Sequence, residues 1–338
     1  MTINEIAKMA GVSRATVSRY LNHGYVSAAN REKIGQIIEE TGYVPSAPAQ
    51  TLRSKRTNYI GVVIPKINSD SIAQMVSGIH RSLAGTGYHM LLACTDNHEE
   101  EEVKSLRVFK EDKVDGLILM GTVFTAEHRR ELEDCSVPLV ILAQNIPGYP
   151  CVYSDDYLAG YELGAHVRDT GTVFGMIRVN EQDQAVGVNR RQGVLDALAE
   201  AGIRIPEGYE ITSGFDLQSG YEKARALLEA HRDIDTLICA TDTIACGALR
   251  YLHEIHAEIP AQIQIAGFGD SNFAKAAIPE LTTVHYYYEE QGYEAGCMLQ
   301  DLMKHKGQAL SKSVKLGIDV RVHQSTRRQE KEETEILS

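Results

Sequence analysis

The sequence predicts an α/β protein with a small helical head and a two-lobed body of doubly wound parallel sheets, and three observations carry that prediction. Residues 1–42 place apolar side chains at helical spacing, interrupted by glycine stops. From residue 59 short apolar runs alternate with amphipathic stretches, in two successive series. At 338 residues the chain is also too long for one core of ordinary size.

In the head, Thr2 and Glu5 have capping-box spacing, Gly11 marks a helix stop and Ser13 is placed to cap a second helix. Ile6, Ala10, Val12, Val17 and Leu21 fall on facing inner sides. Outward on the second helix stand Arg14, Ala15, Thr16, Ser18, Arg19 and Asn22. Guanidinium groups read guanine edges bidentately in a major groove, and small hydroxyls and amides bond phosphates. The unit has the pattern of a helix-turn-helix, although a plain helical hairpin with two solvated arginines satisfies these twenty residues equally well.

Asn22-His23-Gly24 is a turn signal, and Ser27 precedes a third helical pattern with Ile34, Ile37 and Ile38 inward, closed by Gly42. Tyr43 and Val44 follow as lids on this small core. Residues 45–56, PSAPAQTLRSKR, are basic and rich in small side chains. They read either as a flexible linker or as a short helix at 49–52 that forms against DNA, with Leu52 as a minor-groove wedge.

The body then shows strands at 59–64, 89–94, 116–120 and 139–142 with helices at 72–84, 99–110 and 126–133. The second series has strands at 173–177, 210–212, 236–240 and 263–267 with helices at 158–170, 189–201, 220–230 and 243–253. Two such arrays imply two parallel sheets, each buried between helices. Ligands of these sheets bind beyond the carboxyl ends of the strands, so the cleft between the lobes is the natural site. A further helix at 288–303 and a late strand at 315–322 imply that the chain crosses back between lobes; the charged tail from 324 is expected to fray.

Composition narrows the function classes. With 43% hydrophobic and 24% charged residues the chain reads as soluble and globular. It has neither an 18-residue apolar run nor an apolar leader, so a cytoplasmic protein with no membrane partner is expected. The net charge of −12 speaks against nucleic acid until its distribution is read: residues 1–58 hold eight Lys and Arg against four acidic residues, a basic head on an acidic body. Six scattered cysteines without a CxxC suggest reduced, mostly buried thiols. Gly267-Phe268-Gly269-Asp270 lacks the last glycine of a dinucleotide fingerprint, and His253 and His256 are one residue too close for a zinc helix. There is no GxSxG elbow and no Walker loop. No enzyme activity, cofactor or metal is expected. A solute receptor of the transport type would share the body, but the basic head and missing leader argue against it.

The strings MTINEIAKMAGVSRATVSRYLN, VPSAPAQTLRSKRTNYIGVVIP, DGLILMGT, RRQGVLDAL, ICATDTIACGAL, IAGFGDSNFA and PELTTVHYYY occur in order from residue 2 to about 323, and together they resemble the lactose/galactose repressor family of bacterial transcription regulators. The resemblance implies a DNA-binding domain at 1–45, a hinge at 46–58 whose helix spans 46–52, and a periplasmic-binding-protein-like core at 59–338. Within that core it implies a first lobe at about 59–156 and 288–313, a second at about 157–287 and 314–323, and a tail at 324–338. It implies a homodimer on double-stranded operator DNA, with a small-molecule effector in the cleft setting DNA affinity.

On that resemblance Arg14, Ala15 and Arg19 match base-reading positions, Thr16, Ser18 and Asn22 phosphate contacts, and Leu52 the wedge. Pro48 departs from the hinge pattern but falls in a first helical turn, where proline is tolerated. For the effector, Asp270 and Arg190 match gripping residues, Phe215 an aromatic wall, Gln144, Asp155, Thr241 and Tyr286 further lining, and Asp70 and Ser71 the first loop. Asp270 could equally cap a helix near Asn272, and only one of Arg190 and Arg191 can face inward. Ser71 and Ile72 stand where purine-responsive members carry aromatics, so a sugar is favoured over a nucleobase. The likeness is to disaccharide-responsive members such as trehalose or sucrose repressors.

Overall fold

The computed structural model describes residues 1–22, 24–43, 56–305 and 312–328. The chain forms two compact units, Met1–Thr57 and Asn58–Ser338.

The head consists of α1 (Ile3–Ala10), α2 (Arg14–Leu21) and α3 (Ala28–Thr41). Thr2 and Glu5 form the expected capping box, Gly11 ends α1 at φ 64°, and Ser13 caps α2 by accepting from the Thr16 amide. Gly42 closes α3 at φ 59°, whereas Ser27 precedes α3 without a side-chain cap bond. Ile6, Ala10, Val17 and Ile34 are buried together, with Val12, Leu21, Ile37, Ile38 and Tyr43 packed around them. The expected hinge helix at 46–52, with Pro48 and Leu52, lies outside the described residues, as does Val44.

The body runs β1 (Tyr59–Ile64), α4 (Asp70–Leu83), β2 (His89–Cys94), α5 (Glu99–Glu111), β3 (Gly116–Leu119), α6 (Ala126–Glu133), β4 (Leu139–Leu142) and β5 (Cys151–Ser154). It continues through α7 (Asp156–Arg168), β6 (Phe174–Arg178), a π-helix (Gln184–Asn189), α8 (Arg190–Glu200), β7 (Glu210–Thr212), α9 (Leu217–Ala230), β8 (Thr236–Cys239), α10 (Asp242–Glu254) and β9 (Gln264–Phe268). The remaining elements are α11 (Asn272–Ala276), β10 (Thr282–Tyr286), α12 (Tyr288–Lys304), β11 (Ser313–Leu316) and β12 (Ile318–Arg321).

Among the described residues these strands make two six-stranded sheets, β11-β5-β4-β3-β1-β2 and β12-β10-β9-β8-β6-β7. Their interior runs, such as Val62-Val63-Ile64 and Leu139-Val140-Ile141-Leu142, are apolar without alternation because helices cover both faces. The first sheet is parallel throughout, while β12 pairs antiparallel with β10. α4 and α12 pack as a pair on one face of the first sheet, and α7 and α8 do the same on the second. Close approach of α4 to α12 requires Gly78, where a Cβ would run into the Glu289 carbonyl.

Three expectations are corrected. The late strand at 315–322 is two strands: on either side of Gly317, β11 joins the first sheet and β12 the second. The chain thus passes between the two sheets three times, after β5, after β10 and between β11 and β12. The tail does not fray at 324: Ser325 and Thr326 are buried, and Arg327 donates to the carbonyls of Thr170 and Pro260. Among the thiols only Cys151 and Cys239 are buried, and Cys94 is exposed on the edge strand.

Candidate functional site

In the head, α2 offers a short polar face. Arg14, Ala15, Arg19 and Asn22 are exposed, while Thr16 and Ser18 are half-buried. Thr16 is held by its hydroxyl contact with Ser13 at 2.9 Å, and the Asn22 amide donates to the Ser18 carbonyl at 2.8 Å. α2 carries no acidic residue, and Val17 anchors its inner side fully buried. Four of the six positions are thus exposed on α2, and Thr16 is drawn into the cap.

The body holds a cavity of about 170 Å³ at the carboxyl ends of both sets of strands. Its centre is Arg190, at the junction of the π-helix and α8. The guanidinium is buried, donating from Nε to Asp156 Oδ1 at 2.7 Å and from Nη1 to the Ala240 carbonyl at 3.0 Å. It lies over two aromatic rings, 5.3 Å from the Phe268 ring centre and 4.8 Å from that of Tyr286. A planar, always-charged group suits aromatic neighbours, since its faces are weakly hydrated and its edges carry the donors. Tyr286 also donates to Asp156 Oδ1 at 3.2 Å and stacks on Tyr288 at 5.2 Å. Tyr287 faces outward to Asp319, as alternation along an extended segment requires.

Polar contacts bridge the two lobes across the cavity. Gln144 donates to Asp183 Oδ1 at 3.0 Å, Asn272 donates to Asp70 at 2.9 Å, and Lys66 donates to the Phe215 carbonyl at 3.2 Å. Asp183 Oδ1 also accepts from the amides of Ala185 and Val186, the first turn of the π-helix. Burial pushes the Asp183 carboxyl above the usual carboxylate range, against the pull of these bonds. The same cause raises Asp242, which accepts from the Ser271 amide and the Thr283 hydroxyl. Burial lowers the Lys66 ammonium, an effect partly offset by Asp216.

Of the residues expected from sequence, Asp70, Ser71 and Gln144 line the cavity from the first lobe, and Arg190, Phe215, Thr241 and Tyr286 from the second lobe and its crossover. Asp155 and Asp270 do not line it. Asp155 caps α7 through the Leu158 amide and pairs with Lys315, so the next residue, Asp156, points inward. Asp270, at φ 47°, accepts from His285 at 2.8 Å and pairs with Lys275 at 3.3 Å. It does not cap α11; Ser271 does. Arg191 turns away from the cavity onto Glu210. Sequence reasoning missed Asp156, Asp183, Asp242, Lys66, Phe268 and Tyr288. Asp242 had a readable signal, its place directly after an apolar strand and a capping threonine; Asp183 had none, because a π-turn shifts the register that helical spacing assumes.

Two family models match separate parts of the chain. Residues 2–46 match the model for bacterial regulatory proteins of the lacI family, and residues 165–326 match that for a periplasmic binding protein-like domain. The sucrose operon repressor of Staphylococcus xylosus is 35% identical over 90% of this chain and 94% of its own length. Among solved structures, a complex of the transcriptional regulator CelR with cellobiose superposes with a TM-score of 0.72 at 26% identity, over 96% of this chain and 99% of the other. The lac repressor dimer bound to operator shares the fold, with a TM-score of 0.86 at 22% identity over 96% and 99% of the two chains.

Proposed function

The chain belongs to the lacI family of bacterial regulatory proteins, and from that premise we propose that it is a repressor of a sugar-utilisation operon whose affinity for operator DNA is set by a sugar in the cleft around Arg190. The observation that carries this reading is the buried Arg190–Asp156 pair beside Phe268 and Tyr286, a rigid polar centre with apolar walls at the junction of two lobes. Vicinal hydroxyls are each donor and acceptor, and sugar rings have apolar faces, so this combination suits a carbohydrate. Phe215 supplies a further wall. A disaccharide is favoured by the likeness to a sucrose operon repressor and to a cellobiose complex.

In this reading a homodimer in the cytoplasm presents two copies of α2 to the halves of a near-palindromic operator. Arg14, Ala15 and Arg19 face the bases, Thr16, Ser18 and Asn22 the phosphates, and Leu52 the minor groove. The sugar acts by binding the two lobe arrangements unequally; a coupling of roughly 1–3 kcal/mol changes operator affinity about 5- to 150-fold. No helix among the described residues is long and apolar enough to cross a membrane.

Removal of residues 1–58 tests the division of labour. Sugar binding by calorimetry should persist and operator binding by gel shift should vanish; specific DNA binding by the truncated chain would overturn the assignment of the head.

A further inference from the structure

Four helices begin beside the cavity, and each carries one of the chain's own carboxylates at or next to its start. Asp70 lies in the first turn of α4, Asp156 in that of α7 and Asp242 in that of α10, while Asp183 caps the π-helix through two backbone amides. All four line the cavity. Free amides at a helix start, with the positive end of the backbone dipole, are where a phosphate would otherwise settle. Here Asp183 takes two such amides itself, and the other three carboxylates add negative charge beside the remaining helix starts.

The cations of the cavity are outnumbered by these carboxylates and partly engaged within the protein. Arg190 commits Nε to Asp156 and Nη1 to the Ala240 carbonyl, with Phe268 and Tyr286 as aromatic neighbours. Lys66 donates to the Phe215 carbonyl, and its ammonium sits 5.2 Å from the Phe215 ring centre, with Asp216 as its nearby countercharge. Two partly engaged cations therefore stand among four carboxylates.

Two of these carboxylates, Asp156 and Asp183, also carry spare accepting capacity. The bonds from Arg190 and Tyr286 to Asp156 both fall on Oδ1, and the three bonds to Asp183 likewise fall on its Oδ1. An ionised carboxylate accepts at both oxygens, so each has a second oxygen that takes none of these bonds. A hydroxyl-rich ligand donates to such oxygens; a phosphate dianion has nothing to donate to them and is repelled by them.

We propose that the cleft selects the unphosphorylated, hydroxyl-donating form of its sugar and rejects the phosphate ester of that sugar, with Asp156 and Asp183 as the accepting groups and the four aspartates as the electrostatic filter. The inference rests on the sugar reading above and adds the charge state of the ligand. It implies that the signal is the sugar before any phosphoryl group has been transferred to it.

The test is calorimetry on the full chain with matched pairs: sucrose and sucrose 6-phosphate, cellobiose and cellobiose 6-phosphate, trehalose and trehalose 6-phosphate, ribose and ribose 5-phosphate. One neutral sugar should bind, with its ester at least about tenfold weaker. In Asp183→Asn the amide oxygen can still accept from Ala185 and Val186, so the π-helix keeps its cap while the charge is lost. That variant should bind the neutral sugar roughly ten- to hundredfold more weakly and should discriminate less against the ester. An ester that binds as tightly as its parent sugar overturns this inference and leaves the sugar reading standing. Silence from every pair overturns both.

Discussion

Lys315 Nζ lies 2.7 Å from Asp155 Oδ2, an ion pair that ties the first passage between the lobes to the third. Asp155 caps α7 where the chain enters the second lobe, and Lys315 sits on β11 two residues before Gly317. Tyr287 completes the set, donating from the second passage to Asp319 at 2.7 Å on the far side of Gly317. All three passages are thus joined in the lobe arrangement that also carries the Gln144–Asp183 and Asn272–Asp70 bridges. Lys315→Met should weaken sugar binding by roughly two- to fivefold, the range of an exposed ion pair, while the thermal midpoint moves little. Calorimetry and a melting curve on the same sample check both halves of that statement.

The Arg190–Asp156 pair is buried on both sides. Arg190→Met leaves Asp156 without its countercharge and should cost about 3–5 kcal/mol of stability in urea denaturation, along with sugar binding. The double change Arg190→Met with Asp156→Leu removes the uncompensated charge and should recover most of the stability but none of the binding. Recovery of binding would show that the pair only holds the fold.

Acid should act on ligand binding before it acts on exposed carboxylates. Burial pushes Asp183 and Asp242 up from the ordinary 3.8, so both protonate at higher pH than a solvated aspartate. Raised carboxyls favour the folded state below their unfolded value, and that stability is lost as pH rises through the folded value. Sugar affinity runs in the opposite sense, because it needs the ionised acceptors. Titrated calorimetrically downward from neutral pH, wild-type affinity should decline while an exposed aspartate would still be charged, and Asp183→Asn should flatten the profile.

In the head, Ser13→Ala removes the bond to the Thr16 amide and should destabilise an isolated residue 1–57 fragment by about 1 kcal/mol. Arg14→Ala leaves that cap untouched and should instead relax base preference by about 1–3 kcal/mol at one position of each half-site. Selection from a randomised operator library separates the two effects: a changed motif for Arg14→Ala, an unchanged motif at reduced affinity for Ser13→Ala.

Most of the architecture was legible because its signals are local. Thr2, Glu5, Gly11 and Ser13 specify caps within four residues of themselves, and runs such as Leu139–Leu142 announce strands buried on both faces. The cleft was legible only in part. Arg190 and Phe215 were identified, but a carboxylate that caps a helix and one that faces a ligand are the same residue type one position apart, as Asp155 and Asp156 show. The partners that decide between them are distant in sequence: Lys315 for Asp155, Arg190 for Asp156, His285 for Asp270. No spacing rule reaches that far, and the π-turn before Arg190 breaks the helical count where it was most needed.

The strands on either side of Gly317 bear on how the molecule is made. Neither lobe is a continuous piece of chain: the first sheet lacks its β11 edge until residues 313–316 are available, and the second lacks β12 until 318–321. A domain that folds during synthesis does so once its parts have emerged, and here both lobes become complete almost together. The head, whose buried residues all fall between Ile6 and Ile34, is ready far sooner. On a translating ribosome the DNA-facing helix would therefore exist for most of elongation before the sugar-responsive body that governs it is assembled.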